Sequence, residues 1–199
     1  MAVRCVVLAS GRGSNFTAIA EAVRSGHVPG LDIIALVTHN EKAEALNRAR
    51  DFEIPTVILS ESDRDRYHIR LLETLRELNP DWICLAGYLR LLPPGIIDAF
   101  PMKIINIHPS LLPAFPGLRA QRQALTSGVR YTGCTVHLVT AEMDKGPIVD
   151  QSVCEIQPAD TEESLSQRLL PIEHATYVRA LARLVSKPHE VRANRIVWK

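Results

Sequence analysis

Val3-Arg4-Cys5-Val6-Val7-Leu8-Ala9 runs directly into Ser10-Gly11-Arg12-Gly13-Ser14-Asn15, and the apolar spacing then changes from a continuous run to Phe16, Ile19, Ala20 and Val23. A short apolar, β-branched run reads as a buried strand, and residues three and four apart read as one face of a helix. Glycines between the two make the tight turn. The run is too short for a membrane span and lacks a cleavage-site pattern, so it reads as the first buried strand of a globular domain.

The same alternation continues along the chain. Strands are expected at Asp32–Thr38, Thr56–Leu59, Asp81–Ala86 and Lys103–Ile107, and helices at Ser14–Ser25, Lys42–Phe52, Arg64–Leu78 and Pro93–Phe100. Strand–helix alternation of this kind gives an α/β fold, a Rossmann-like, mostly parallel twisted sheet flanked by helices on both faces. The pattern changes after Pro113. A short helix around Gln121–Thr126 precedes Cys134–Val139 and Ile148–Ile156, which alternate like antiparallel strands. Thr161-Glu162-Glu163-Ser164 opens a long amphipathic helix carrying Leu165, Leu169, Ile172 and Tyr177, with Pro171 expected to kink it. Val191–Trp198 reads as a last strand or an ordered extension. No repeat or linker interrupts the chain, and 199 residues suit a single domain, 1–199.

Composition narrows the function classes. The formal net charge is +1, with 23 basic and 22 acidic residues spread along the chain, so no basic stripe offers itself to nucleic acid. The hydrophobic fraction of 46% is that of an ordinary globular chain, not a membrane protein. Four separated cysteines, each in an apolar strand-like setting, read as buried free thiols of a reducing cytoplasm. The seven histidines show no metal-ligand spacing, so no metal is expected.

Chemistry concentrates at the expected strand ends, where open α/β sheets bind ligands. Lys103-Ile104-Ile105 leads into Asn106-Ile107-His108-Pro109-Ser110-Leu111-Leu112-Pro113. Asn106 and His108, two apart, face one side of a strand and together suit donation to an oxygen that becomes negative. Asp144, in Met143-Asp144-Lys145-Gly146-Pro147, supplies a carboxylate that could orient the imidazole or take a proton. The competing reading makes Asn106 and His108 a strand cap and Asp144 an ordinary turn residue.

Gly11 and Gly13, with Ser14 and Asn15, form a candidate anion site at a helix N-terminus, against the alternative of a purely structural turn. Phe16 stands where a dinucleotide fingerprint needs its third glycine, and no Walker lysine follows, so a monophosphate fits best. Gly87 in Ala86-Gly87-Tyr88-Leu89-Arg90-Leu91-Leu92 allows close backbone approach, and the leucines could wall a flat aromatic ligand. Arg90 either answers a carboxylate on that ligand or lies along the surface. Arg64, a cation at a helix start, hints at an external anion, against the alternative of a simply solvated side chain. Glu173, in mid-helix beside His174, belongs to a solvated face unless the kink turns it inward.

Taken together, these stretches resemble the folate-dependent phosphoribosylglycinamide formyltransferase family. The likeness rests on residues 10–15, 85–92, 106–113, 133–139, 144–148 and 173–177, in order along nearly the whole chain. It implies transfer of the formyl group of 10-formyltetrahydrofolate, a co-substrate, to the amine of glycinamide ribonucleotide in purine biosynthesis. By this resemblance Asn106, His108 and Asp144 are catalytic. Gly11, Arg12, Gly13, Ser14 and Asn15 hold the ribonucleotide phosphate, and Glu173 contacts its ribose or glycinamide end. Backbone of Leu89, Arg90, Leu91 and Leu92, with Asn106 and with Thr140, Ala141, Glu142 and Met143, binds the pterin. Arg64 and Arg90 face the benzoyl-glutamate part. Residues 1–100 then serve ribonucleotide binding, and 101–199 folate binding and catalysis. The expected partners are small molecules, with neither nucleic acid nor membrane, in a cytoplasmic monomer or homodimer.

Departures from the family pattern cluster at Ala114, Arg119 and Gln121, where relatives often carry a basic residue and two histidines; Arg119 is the candidate replacement charge. Two rivals share the signals: a formyltetrahydrofolate deformylase, whose members usually carry an extra N-terminal domain, and a non-catalytic nucleotide-binding module. Relatives that formylate a nucleotide sugar or a charged tRNA usually add C-terminal domains.

Overall fold

The computed structural model describes residues 2–199 and resolves them into two compact units, residues 2–105 and 106–199. In the first, β1 (Val3–Leu8) pairs in parallel with β2 (Leu31–Thr38) and β4 (Trp82–Leu85), and β3 (Thr56–Ile58) extends β2, giving the order β3-β2-β1-β4. Cys5, Val6, Val7 and Leu8 are fully buried, as the continuous apolar run requires of a strand covered on both faces. Helices α1 (Ser14–Arg24), α2 (Ala45–Asp51), α3 (Arg64–Leu78) and α4 (Pro94–Ala99) connect the strands. The side chain of Asp63 caps α3 by accepting from Arg66 N–H at 2.8 Å, and Tyr67, Leu71 and Leu75 form its buried stripe. The strand that leads to the candidate catalytic residues is β5 (Ile104–His108).

The second unit carries α5 (Ala120–Thr126) and an antiparallel pair, β6 (Tyr131–Leu138) with β7 (Ile148–Glu155), as their alternation predicts. Their register shifts between Val136 and His137. Such a bulge re-aims the side chain beside it. Gly133 in β6 leaves no room for a side chain, because a Cβ there would lie 2.0 Å from Ser152 O. Helix α6 (Glu162–Ser186) starts in a capping box. Thr161 accepts from Ser164 N–H, and Ser164 Oγ accepts from Thr161 N–H at 2.9 Å. Pro171 lies within α6 without ending it. Leu165 and Leu169 pack on Cys134 and Cys154 to form this unit's core, with Ile107, Leu125, Ile156 and Ile172 against it.

The tail differs from its sequence reading. Instead of a single strand or an ordered extension over Val191–Trp198, it forms a hairpin of β8 (His189–Arg192) and β9 (Arg195–Trp198), and the order in this unit is β6-β7-β9-β8. Ala193 and Asn194 make the two-residue turn with φ 44° and 62°. A turn of this kind is usually announced by Asn-Gly, and Ala-Asn hides it.

Candidate active site

Ile104 and Ile105 bury the first part of β5, and Asn106 and His108 follow at its carboxyl end. The turn after His108 is pinned to β6 through Thr135, whose hydroxyl donates to Ser110 O at 2.7 Å and accepts from Leu112 N–H at 3.0 Å. Gln151 donates to Leu112 O and to Thr135 Oγ1. This lattice fixes where the imidazole points.

His108 is 5% exposed. Its Nε2 donates to Phe115 O at 2.9 Å, and its Nδ1 lies 3.4 Å from Asp144 Oδ2. Both ring nitrogens thus face oxygen acceptors. Asp144 Oδ2 also accepts from Gly117 N–H at 2.8 Å, and Asp144 Oδ1 lies 3.7 Å from His137 Nε2. The side chain of Asp144 is 9% exposed and its backbone is left-handed, φ 56°, a conformation that Asp tolerates. Gly146 locks the turn from behind: a Cβ there would stand 1.8 Å from Leu138 O. Leu138 N–H donates to Pro147 O at 2.9 Å.

His137 joins the set although the sequence reading passed over it. Its Nδ1–H donates to Leu138 O at 3.0 Å, which leaves Nε2 to accept from Asn106 Nδ2 at 3.2 Å. Burial, the largest influence, lowers its pKa; the Leu138 and Asp144 oxygens oppose the shift, and His108 adds to it. A neutral His137 therefore fixes the Asn106 amide with its nitrogen inward, keeping one N–H committed and the other available. The signal in the sequence was a histidine at the end of an apolar strand run, the feature that singled out His108.

The other predicted residues fall into separate groups. Gly13 adopts φ 73°, and a Cβ there would lie 2.7 Å from Ala45 Cβ, so it is required by the turn and by the approach of α2. Ala45 N–H donates to Gly11 O, and Arg48 Nε to Arg12 O, so α2 holds these carbonyls. Ser14 and Asn15 open α1, at the positive end of its dipole. Ser10 Oγ accepts from Leu89 N–H at 2.9 Å, so that group is already used within the protein. Leu89 and Leu91 are exposed and Leu92 half-buried. Arg90 stacks its guanidinium 4.2 Å over the Tyr67 ring, and Tyr67 shares a 2.5 Å O···O contact with Tyr88. Arg64 is exposed at the start of α3. In the second unit Thr140, Ala141, Glu142 and Met143 form the loop before Asp144, with Glu142 paired to Lys145 at 2.6 Å. Glu173 is 9% exposed in mid-α6, buried where a solvated face was the alternative.

The sequence pattern described as formyl transferase matches residues 3–181. The chain belongs to the formyl transferase family. Within it, the chain is 40% identical over 182 residues to phosphoribosylglycinamide formyltransferase of Bacillus subtilis, covering 90% of this chain and 93% of that protein. It is 40% identical over 187 residues to the trifunctional purine biosynthetic protein adenosine-3 of Drosophila pseudoobscura pseudoobscura. That alignment takes in 92% of this chain but only 14% of the insect protein. The crystal structure of glycinamide ribonucleotide transformylase 1 from Symbiobacterium toebii superposes with a TM-score of 0.94 at 40% identity, covering 99% of this chain and 94% of the other. The formyl transferase fold is thus the mostly parallel α/β sheet, with antiparallel strands in its C-terminal half, that the sequence predicts. Among the described residues, no helix is long and apolar enough to cross a membrane.

Proposed function

We propose that this chain transfers the formyl group of 10-formyltetrahydrofolate to the amine of glycinamide ribonucleotide. The observation that carries the reading is the Asp144 carboxylate lying between two imidazoles, His108 at 3.4 Å and His137 at 3.7 Å, with the Asn106 amide tied to the second. The amine is its own nucleophile, so the protein needs no serine or cysteine for attack. Its work is to hold two substrates in reacting geometry and to stabilise negative charge on the formyl oxygen.

The amine nitrogen forms a bond to the formyl carbon, and the carbonyl electron pair moves to oxygen. The free N–H of Asn106 donates to that oxygen. His108 Nε2–H does the same by exchanging Phe115 O for the formyl oxygen. As the oxyanion collapses, the bond from the formyl carbon to the folate nitrogen breaks. The proton lost by the amine passes to that nitrogen, with Asp144 and His108 as its carriers, directly or through water. Removing one such oxyanion donor typically lowers turnover by ~10²–10³.

The glycine turn at residues 11–15 receives the ribonucleotide phosphate at the positive end of α1. Glu173 serves the ribonucleotide's other end, and backbone at 89–92 and 140–143, with Asn106, serves the pterin. Arg64 and Arg90 answer the benzoyl-glutamate. The four buried free thiols suit a reducing compartment such as the cytoplasm.

The test is release of tetrahydrofolate from 10-formyltetrahydrofolate with and without glycinamide ribonucleotide. Release that requires the ribonucleotide is expected. Release without it assigns the site to hydrolysis, and no release in either case reduces the chain to a binding module.

A further inference from the structure

The proposed mechanism uses Asp144 but leaves the C-terminal hairpin without a task. Four observations connect the two. Asn194 Nδ2 donates to Lys145 O at 3.0 Å, across 49 residues of sequence, onto the carbonyl next to Asp144. β9 meets β7 in parallel at Ile148↔Arg195, where the Asp144 turn rejoins the strand. Asn194 occupies the second position of the hairpin turn with φ 62°, after Ala193 at φ 44°. A left-handed alanine is unfavourable, so the turn that presents Asn194 is held against local preference. Finally, the hairpin has its own anchor: Arg183 lies 4.1 Å over the Trp198 ring, and Lys199 N–H donates to Pro188 O.

On the other side, the same stretch is fixed by Gly146 against Leu138 O and by the Leu138 N–H to Pro147 O bond. The 145–148 segment is thus gripped on both flanks. The Asn194 amide thus bonds the carbonyl one residue after Asp144, whose carboxylate meets Gly117 N–H at 2.8 Å and His108 Nδ1 at 3.4 Å. We propose that Asn194 is a positioning residue for the formyl transfer reaction, acting through the Asp144 turn. This rests on the catalytic role assigned to Asp144 above.

The test compares Asn194→Gly, which keeps the left-handed turn and removes the donor, with Asn194→Asp, which keeps turn and shape but sets an acceptor against Lys145 O. Both variants are assayed in the full chain at saturating substrates, well below the unfolding midpoint. Loss of one hydrogen bond at this position should lower kcat about threefold to tenfold, more for Asp than for Gly, with each KM changed less than about twofold. The double variant Asn194→Gly/Asp144→Asn should be no slower than Asp144→Asn alone, since the effect runs through Asp144. Two results would overturn the proposal: wild-type kcat in both folded single variants, or losses that multiply in the double variant. A fully active Asp144→Asn would instead remove the catalytic role of Asp144, so the two failures are told apart.

Discussion

His137→Phe separates the role of the second imidazole from its bulk. The phenyl ring keeps the volume of a side chain that is 2% exposed, and it removes both polar contacts. Asn106 Nδ2 loses its acceptor at 3.2 Å and Leu138 O its donor at 3.0 Å. An orphaned amide N–H costs about 1–3 kcal/mol, and an ordinary hydrogen bond contributes about 0.5–1.5 kcal/mol, so the variant should be destabilised by about 2–4 kcal/mol at neutral pH. The kinetic effect is separate. Without His137, the Asn106 amide is free to turn its oxygen toward the reaction, where it repels the developing charge. Full loss of an oxyanion donor is worth ~10²–10³, and partial misorientation should lower kcat by about 10–100-fold.

The pH dependence carries a sign of its own. Burial holds the folded pKa of His137 below its ordinary 6.5. Below that pH the unfolded chain binds a proton that the folded chain refuses, so wild-type stability is complete above pH 6.5 and is lost as pH falls through the window beneath it. The phenylalanine variant lacks this loss, and the stability gap should narrow in acid by up to about 1.4 kcal/mol per pH unit. Urea unfolding from pH 8 to pH 5, with steady-state rates on the same samples, checks both parts. A kcat within twofold of wild type, or a gap that widens in acid, refutes the reasoning.

Gly13→Ala should destabilise the protein by about 2–4 kcal/mol, combining a left-handed alanine with overlap against Ala45 Cβ at 2.7 Å. Adding Ala45→Gly should relieve only part of the overlap, since the Ala45 Cα still lies 2.9 Å from the new Cβ, and none of the backbone part, as urea midpoints will show. Burial pushes the Cys134 thiol up to about 11 and raises Cys154; contact with Cys84 at 3.4 Å, together with burial, holds Cys5 well above its ordinary value. Because all four thiols are buried, an aromatic disulfide reagent at pH 8 should leave them unmodified in the native protein and label them in urea.

How much was legible follows from the range of each interaction. Elements driven by local periodicity were read almost to the residue: α3 spans Arg64–Leu78, because the Tyr67, Leu71, Leu75 stripe lies within it and Asp63 caps it from the residue before. The hairpin at the tail was missed because Ala193 and Asn194 take left-handed conformations without a glycine to announce them. Asn106, His108 and Asp144 could be nominated from their chemistry, and the structure gathers all three. That Asn106 is reached through His137, not His108, depends on a register shift between Val136 and His137. The satisfaction of Asp144 by Gly117 N–H joins residues 27 apart in the sequence. Neither is encoded in any local pattern.

The account stands on the claim that the Asp144 carboxylate acts on the chemistry and not on ligand capture. Asp144→Asn keeps the size of the side chain and an oxygen to accept from Gly117 N–H, while removing the charge beside both imidazoles. The decisive measurement is its kcat set against its folate Kd. A fall in kcat of about 10²-fold or more, with Kd changed less than about threefold, is the predicted result. Equal losses in kcat and affinity, or unimpaired turnover, would contradict it.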